Sequence, residues 1–337
     1  MSRPLLSVVI PVYNEETRIA RTVEEAAASV DASGAFDLDL VLVDDGSTDD
    51  TAAAARAAVA RVGGRVVSQP NQGRLGARRT GLAEARGDYV LLLDSRVSVA
   101  PASLAFVGAE LAAGNEVWNA HVEIEVDGNP YGRFWRVLTE AAFAEYFSSP
   151  RTTSFGPEEF DRFPKGTTCF LAPAGLLRDA FGEHRSRSYY ADERNANDDT
   201  PILRRLAERR RIHISPRFRA TYTPRASFDG FVRHAYHRGI VFLDGHGRRE
   251  SRFFPAVAAF YPASAALVLL AARRPSAILP LAGVAAVAAG AAAARVSPDD
   301  AVAFGALAPV YAVAHGVGMW KGAALAAAKR LRPGRAA

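Results

Sequence analysis

Two hydrophobic periods alternate along the first third of the chain. Leu5 to Val12 is a strand-length apolar run, and helix-forming residues from Glu15 to Val30 follow it. The apolar run Leu40 to Val43 predicts a second strand. An Ala-rich helix should start at Ser47 or Thr48, where Ser47-Thr48-Asp49-Asp50 resembles a capping box. Arg65 to Ser68 gives a third strand, Leu75 to Ala85 a helix, and Asp88 to Leu93 a fourth strand ending on Asp94. Strand and helix in alternation predict βαβ units and a parallel sheet.

Past Pro101 the pattern changes. Trp118, Ala120, Val122, Ile124 and Val126 alternate with Asn119, His121, Glu123 and Glu125, which predicts a half-buried strand. Asp127-Gly128-Asn129 is a turn, Arg133 to Phe147 a helix, and Ser148 to Lys165 mostly loop. Thr167 to Leu171 reads as a buried strand, Pro173 to Phe181 as a short helix, and Pro201 to Arg210 as a basic helix introduced by Asn195 to Thr200. The predicted fold class is α/β: a doubly wound, Rossmann-like mixed sheet.

From about Phe253 onward Ala, Val and Leu dominate, so the expected division is a globular domain over residues 1–252 and a membrane-associated helical tail over 253–337. The apolar stretches Phe254 to Ala272, Ala277 to Ala294 and Ala301 to Trp320 are each near the length that crosses a bilayer. The basic residues Arg273, Arg274, Lys321, Lys329, Arg330, Arg332 and Arg335 favour two spans. Phe254 to Ala272, with Pro255 and Pro262, would then lie in the interface, and Ser297-Pro298-Asp299-Asp300 would form the outer turn. An Ala-rich soluble bundle is the alternative. The net charge of +5 is scattered or sits beside apolar segments, which points to a membrane surface and away from nucleic acid. No charged n-region followed by an apolar h-region opens the chain, so the globular domain is expected in the cytoplasm, at the cell membrane. Cys169, the single cysteine, has the apolar neighbours Phe170 and Leu171 and reads as a small buried hydrophobe.

Ligands of open α/β sheets bind beyond the carboxyl ends of the strands. Three polar clusters follow such ends: Pro11-Val12-Tyr13-Asn14-Glu15-Glu16, Asp44-Asp45-Gly46-Ser47 and Asp94-Ser95-Arg96. A carboxylate there can accept a base N–H, bind a ribose hydroxyl or hold a metal, and Gly46 lets backbone approach a ligand. Helix capping is the bland alternative for each cluster taken alone.

The stretches Ser7-Val8-Val9-Ile10-Pro11-Val12-Tyr13-Asn14-Glu15, Val43-Asp44-Asp45-Gly46-Ser47-Thr48-Asp49, and Asn71-Gln72-Gly73 through Ala77-Arg78 to Gly81 together resemble the nucleotide-binding half of family 2 glycosyltransferases. The resemblance covers roughly residues 5 to 245. It implies the glycosyltransferase A fold, with residues 1–100 as nucleotide-binding half and 101–252 as acceptor and catalytic half. It also implies that Pro11, Tyr13 and Glu15 line a nucleoside pocket, that Asp44 or Asp45 holds the base, and that Asn71, Gly73 and Arg78 lie near the base or diphosphate. Asn197-Asp198-Asp199-Thr200 is similar to the family's Glu-Asp motif, so Asp199 would be the catalytic base and Asp198 would stand in the Glu position. Lys165-Gly166-Thr167-Thr168 would border the donor sugar, and Arg233 to Gly239 would supply a basic helix.

One motif departs from the family. Where the resemblance implies Asp-x-Asp holding Mg²⁺ or Mn²⁺, this chain has Asp94-Ser95-Arg96. Either Asp94 still holds a cation with the diphosphate and a distant ligand such as His234, or Arg96 itself meets the charge of the leaving diphosphate. A surface Asp94–Arg96 ion pair without a role is the third account. The expected activity is sugar transfer, with inversion, from a nucleotide diphosphate sugar to a hydroxyl of an envelope glycan or lipid-linked acceptor. The alternative is a catalytically degenerate sugar-nucleotide-binding or scaffold protein.

Overall fold

The computed structural model describes residues 3–184, 188–190, 199–249, 251–293 and 297–331. In chain order its elements are β1 (Leu5–Val12), α1 (Ile19–Ser33), β2 (Asp37–Asp44), α2 (Thr51–Val62), β3 (Arg65–Ser68), α3 (Gly73–Glu84), β4 (Tyr89–Leu93), β5 (Val97–Val99), α4 (Pro101–Ala112) and β6 (Trp118–Ile124). Then come α5 (Pro130–Ala142), α6 (Ala144–Phe147), β7 (Thr153–Phe155), β8 (Cys169–Pro173), α7 (Ala174–Gly182), α8 (Asp199–Arg209) and β9 (Ile212–Tyr222). The helices α9 (Phe228–His246), α10 (Phe254–Arg273), α11 (Ile278–Ala293) and α12 (Pro298–Leu331) complete the chain.

The chain divides into two compact units. The first comprises Met1–Glu123, Phe143–Arg185 and Asp198–Thr223, and the second Ile124–Ala142, Ser186–Asn197 and Pro224–Ala337. In the first unit the sheet runs β3-β2-β1-β4-β8-β6-β9-β5, with β7 on β9. β3, β2, β1 and β4 pair in parallel, and β8 joins β4 antiparallel. The chain order reverses between β1 and β4, so the crevice at their carboxyl ends is the position this topology provides for a ligand.

Alternation along β1 serves both faces of the sheet. Leu6, Val8, Ile10 and Val12 join Val23, Val30, Leu104 and Val107 on one side, and Val9 joins Leu75, Leu82, Leu177 and Leu203 on the other. Ser7 is buried in this strand and is satisfied: its hydroxyl donates to Asp39 and accepts the Gly87 N–H at 2.8 Å.

Two local expectations fail for the same reason. The helix after β1 begins at Ile19, and the one after β2 at Thr51. The four polar residues before Thr51 form no capping box, because the two loops hydrogen-bond to each other. Asn14, with φ of 52°, donates its N–H to Ser47 Oγ at 3.0 Å and accepts the Thr48 N–H on its Oδ1 at 2.9 Å. Thr51 Oγ1 accepts the Glu15 N–H at 2.7 Å. The helix expected over Arg133 to Phe147 is two: α5 starts earlier, where Asn129 Oδ1 accepts the N–H of Tyr131 and Gly132 at 3.1 Å each, and it ends at Ala142.

In the second unit α12 packs along α9 so closely that backbone meets backbone. A Cβ at Gly239 would lie 2.1 Å from the His315 carbonyl oxygen, and one at Gly318 the same distance from that of Tyr236. Phe134 and Trp135 of α5 pack with Phe231, Phe304 and Tyr311. Among the described residues three segments are long and apolar enough to cross a membrane: Phe254–Arg273, Pro275–Ala292 and Pro298–Leu331. Pro262 leaves α10 continuous over 20 residues.

Of the segment expected to form an outer turn, Ser297 precedes α12 and Pro298 to Asp300 begin it. Asp300 has a fully buried side chain (0 % exposed), ion-paired with both Arg133 and Arg136 of α5. At the other end of α12, Lys329 donates to the carbonyls of Ser188 and Tyr190 at 2.8 and 3.0 Å. These acid and base positions serve internal pairs, which local charge counting does not register, and they lay α12 along α5 and α9. All three helices carry outward apolar surface: Leu267 to Leu270 on α10, Val284 and Val287 on α11, and Val302, Val313 and Val317 on α12 are exposed.

Two measurements test these assignments. A Cβ at Gly81 would lie 2.3 Å from Cγ1 of buried Val9, a stiff side chain on a strand, so Gly81→Val should destabilise the first unit by about 1–3 kcal/mol in thermal unfolding. In cells, Asp299→Cys and Ala141→Cys on α5 should react with an impermeant thiol reagent under the same condition. Opposite accessibility would restore the outer turn.

Candidate functional site

The loops after β1, β2 and β4 meet at the carboxyl edge as a pre-tied platform. The turn carrying Asp94, Ser95 and Arg96 is held from three sides: Asp94 N donates to Thr168 O at 2.9 Å, Thr22 Oγ1 to Ser95 O at 2.7 Å, and Thr223 N to Arg96 O at 3.0 Å. Gly46 has φ of 74°, and a Cβ there would lie 2.8 Å from Asn71 N, so this glycine is required for the chain's own close approach.

Asp45 and Asp44 divide their work. Asp45 accepts the backbone N–H of Gln72 and Gly73 at 2.8 Å each and the Gln69 side-chain amide at 2.7 Å, so both of its oxygens organise the start of α3. Asp44 is equally buried and accepts the Ser47 N–H at 3.2 Å. Pro11 is buried at the end of β1, while Tyr13 and Asn71 are exposed.

The most enclosed charge at this edge is Arg78. Its side chain is 1 % exposed and bridges two carboxylates: Nη2 donates to Asp94 Oδ1 at 2.8 Å and Nη1 to Asp199 Oδ1 at 2.9 Å. Thr167 Oγ1 also donates to Asp199 Oδ1, at 2.7 Å. Burial pushes the Asp199 carboxyl up, but Arg78, Arg74 and Thr167 together outweigh it and hold the group below the ordinary Asp value. Its side chain is still 28 % exposed, so an ionised carboxylate is presented at the edge of the site.

The structure thus gathers Asp94, Asp199 and Arg78 into one cluster. It puts Arg96 with Glu15 instead of Asp94: Arg96 Nε donates to Glu15 Oε1 at 2.8 Å, and Nη2 lies 2.7 Å from Oε2. Asp198 lies outside the described residues. Lys165 donates to Phe163 O at 3.0 Å, and its ammonium lies 4.3 Å from the Phe160 ring centre. His234 packs against Trp135 in the second unit, and Arg233 pairs with Asp229 one turn back. Gln69 and Arg74 take supporting parts that no local motif signals, and Thr167 comes from the Lys165 to Thr168 segment. Burial pushes the Cys169 thiol up, consistent with an inert core residue.

The donor set does not fit a resident divalent cation. Such ions take several oxygen ligands, yet among the described residues no three His, Cys, Asp or Glu side chains form a group that could hold one. Asp94 and Asp199 each commit an oxygen to Arg78, and Arg96 brings a second positive charge where a ligand is expected.

Comparison with known proteins agrees with this architecture. The undecaprenyl-phosphate 4-deoxy-4-formamido-L-arabinose transferase of Pseudomonas aeruginosa (strain LESB58) is 38% identical over 117 residues, 34% of each chain. The dodecaprenyl-phosphate galacturonate synthase of Rhizobium johnstonii is 38% identical over 109 residues, 32% of each chain. The matches therefore span about a third of these relatives' length. The mannosyltransferase PcManGT from Pyrobaculum calidifontis, solved in complex with GDP-Man and Mn²⁺, superposes with a TM-score of 0.56 at 20% identity, covering 95% of this chain and 88% of that one. Residues 7–184, more than half of the chain, match the model for glycosyl transferase family 2, and the protein belongs to that family and has its glycosyltransferase A fold.

Proposed function

We propose that the protein transfers a glycosyl group, with inversion, from a nucleoside diphosphate sugar to a hydroxyl on a lipid-linked or envelope-glycan acceptor. The observation that carries this reading is the ionised Asp199 carboxylate, held by Arg78 and Thr167 beside Asp94 at the carboxyl edge of a family 2 sheet. The nucleoside lies over Pro11 and Tyr13, with Asp44 as the acid that meets the base, since Asp45 is committed to α3. Asn71 and Gly73 border the same end. Asp199 takes the proton of the acceptor hydroxyl. The acceptor oxygen then bonds to the sugar's C1 from the face opposite the diphosphate, and the old C1–O bond breaks with its electron pair leaving on the diphosphate.

The membrane supplies the acceptor's surroundings: α10 and α11 carry exposed apolar faces suited to a bilayer, and the sugar-nucleotide unit faces the cytoplasm. The relatives' names favour a second reading, in which the acceptor is a polyprenyl phosphate. A phosphate oxygen is already unprotonated, so that transfer would need no base.

Asp199→Asn keeps the shape of the side chain and removes its basicity. With a hydroxyl acceptor it should lower kcat by about 10²–10⁴-fold while donor affinity persists. Wild-type turnover of Asp199→Asn would sink the base assignment and leave the phosphate acceptor. Arg78 holds Asp199 below the ordinary Asp value, so the base stays ionised as pH falls and protonates only under acid conditions. Arg78→Gln removes that cation and lets burial raise the carboxyl. The acid limb of the kcat/KM profile should therefore move to higher pH, with activity recovered as pH rises. A uniform loss at every pH would mean that Arg78 acts on structure alone.

A further inference from the structure

On the sugar-nucleotide reading, a diphosphate must lie over the carboxyl ends of β1 and β4, and a cation must meet the charge that grows as the glycosyl bond breaks. A divalent ion is the usual solution to that problem, and the residues here do not build its cage. The position that would add a second carboxylate carries a guanidinium, and the first carboxylate already accepts from another.

The two guanidiniums are placed differently. Arg78 is enclosed and occupied by Asp94 and Asp199. Arg96 is 20 % exposed, and its backbone is fixed by the Thr223 N–H. Glu15, whose side chain is only 5 % exposed, grips Arg96 through Nε and Nη2. That grip aims the fork, while Nη1 has no protein partner among the described residues. A guanidinium carries five donors in one plane, so holding Glu15 along one edge leaves another edge for phosphate oxygens. The charge is permanent and the orientation is set before any ligand arrives.

We infer that Arg96, clamped by Glu15, replaces the divalent cation in this chain. When the C1–O bond breaks, its electron pair passes to the diphosphate oxygen, and the Arg96 Nη1–H donates to the oxygens on which that charge develops. No metal ion takes part in holding the donor. Glu15 then acts by positioning Arg96, in addition to bordering the nucleoside.

The test uses the full chain in detergent, stripped with EDTA, with UDP and GDP as calorimetric probes in the presence and absence of added Mn²⁺. For whichever nucleoside diphosphate binds, wild-type affinity should be unchanged by EDTA and unimproved by Mn²⁺. Arg96→Lys keeps the charge and loses the fork, and should weaken binding about ten- to a hundredfold without rescue by Mn²⁺. Wild-type affinity that collapses in EDTA and returns with Mn²⁺ would overturn the proposal, as would a folded Arg96→Lys protein that binds as tightly as wild type. The metal comparison needs no variant, so misfolding of Arg96→Lys leaves it decisive. If neither diphosphate binds under any condition, the sugar-nucleotide reading itself is overturned and this proposal falls with it.

Discussion

A guanidinium that cannot shed its proton is enclosed between two carboxylates, and much of the first unit is arranged to make that arrangement stable. Arg78 sits on α3, Asp94 at the end of β4, and Asp199 at the start of α8, 121 positions away from Arg78 in sequence. A buried charge is tolerated only with such partners, and losing one of them costs about 3–5 kcal/mol. The helix that carries Arg78 must therefore be placed within tenths of an ångström. Gly81 lets it lie directly on Val9, and Asp45 gathers the amides at its first turn. The core and the site are one construction here, since the residue that seats α3 on the sheet lies one turn from the residue that ties the acids together.

The platform around this cluster shows how many polar groups at a strand edge belong to the scaffold. The side chains of Asn14, Ser47, Thr51 and Asp45 all satisfy backbone from a neighbouring loop. Their work is to hold still the groups that face the crevice. Three of the charged groups at this edge are buttressed in turn: Asp44 by Ser47, Arg96 by Glu15, and Asp199 by Thr167 and Arg78. This is the condition for electrostatic catalysis, in which dipoles and charges are aimed before the reaction starts.

Much of this was legible in the sequence where it depends on local periodicity. Leu5 to Val12 and Arg65 to Ser68 are strands to the residue, and the three polar clusters do sit at the carboxyl edge of one sheet. What escaped depends on partners distant in the chain. The helix starts moved because loop capped loop, whereas β9 was missed although Ile212, Ile214, Phe218 and Ala220 alternate with His213, Ser215, Arg217 and Arg219, with Pro216 the residue in the run that speaks against a strand. The pairing of Arg96 with Glu15 spans 81 positions. Its signal in the sequence was a cation in place of an acid, which identifies the anomaly without naming its partner.

The same limit explains the second unit. Charge counting treats every Lys, Arg and Asp near an apolar segment as a marker of the side of the membrane it prefers, on the premise that the charge faces water. Asp300 and Lys329 violate the premise, because each is consumed by an internal bond. α12 thus starts on a buried acid and ends near a bonded base. It is also held at both ends within its own unit, and Gly239 and Gly318 let it lie flush on α9. A helix fixed at both ends and flush along its length contributes stiffness. The face of α12 turned away from α5 and α9 still exposes Val302, Val313 and Val317, as α10 and α11 expose Leu267 to Leu270, Val284 and Val287.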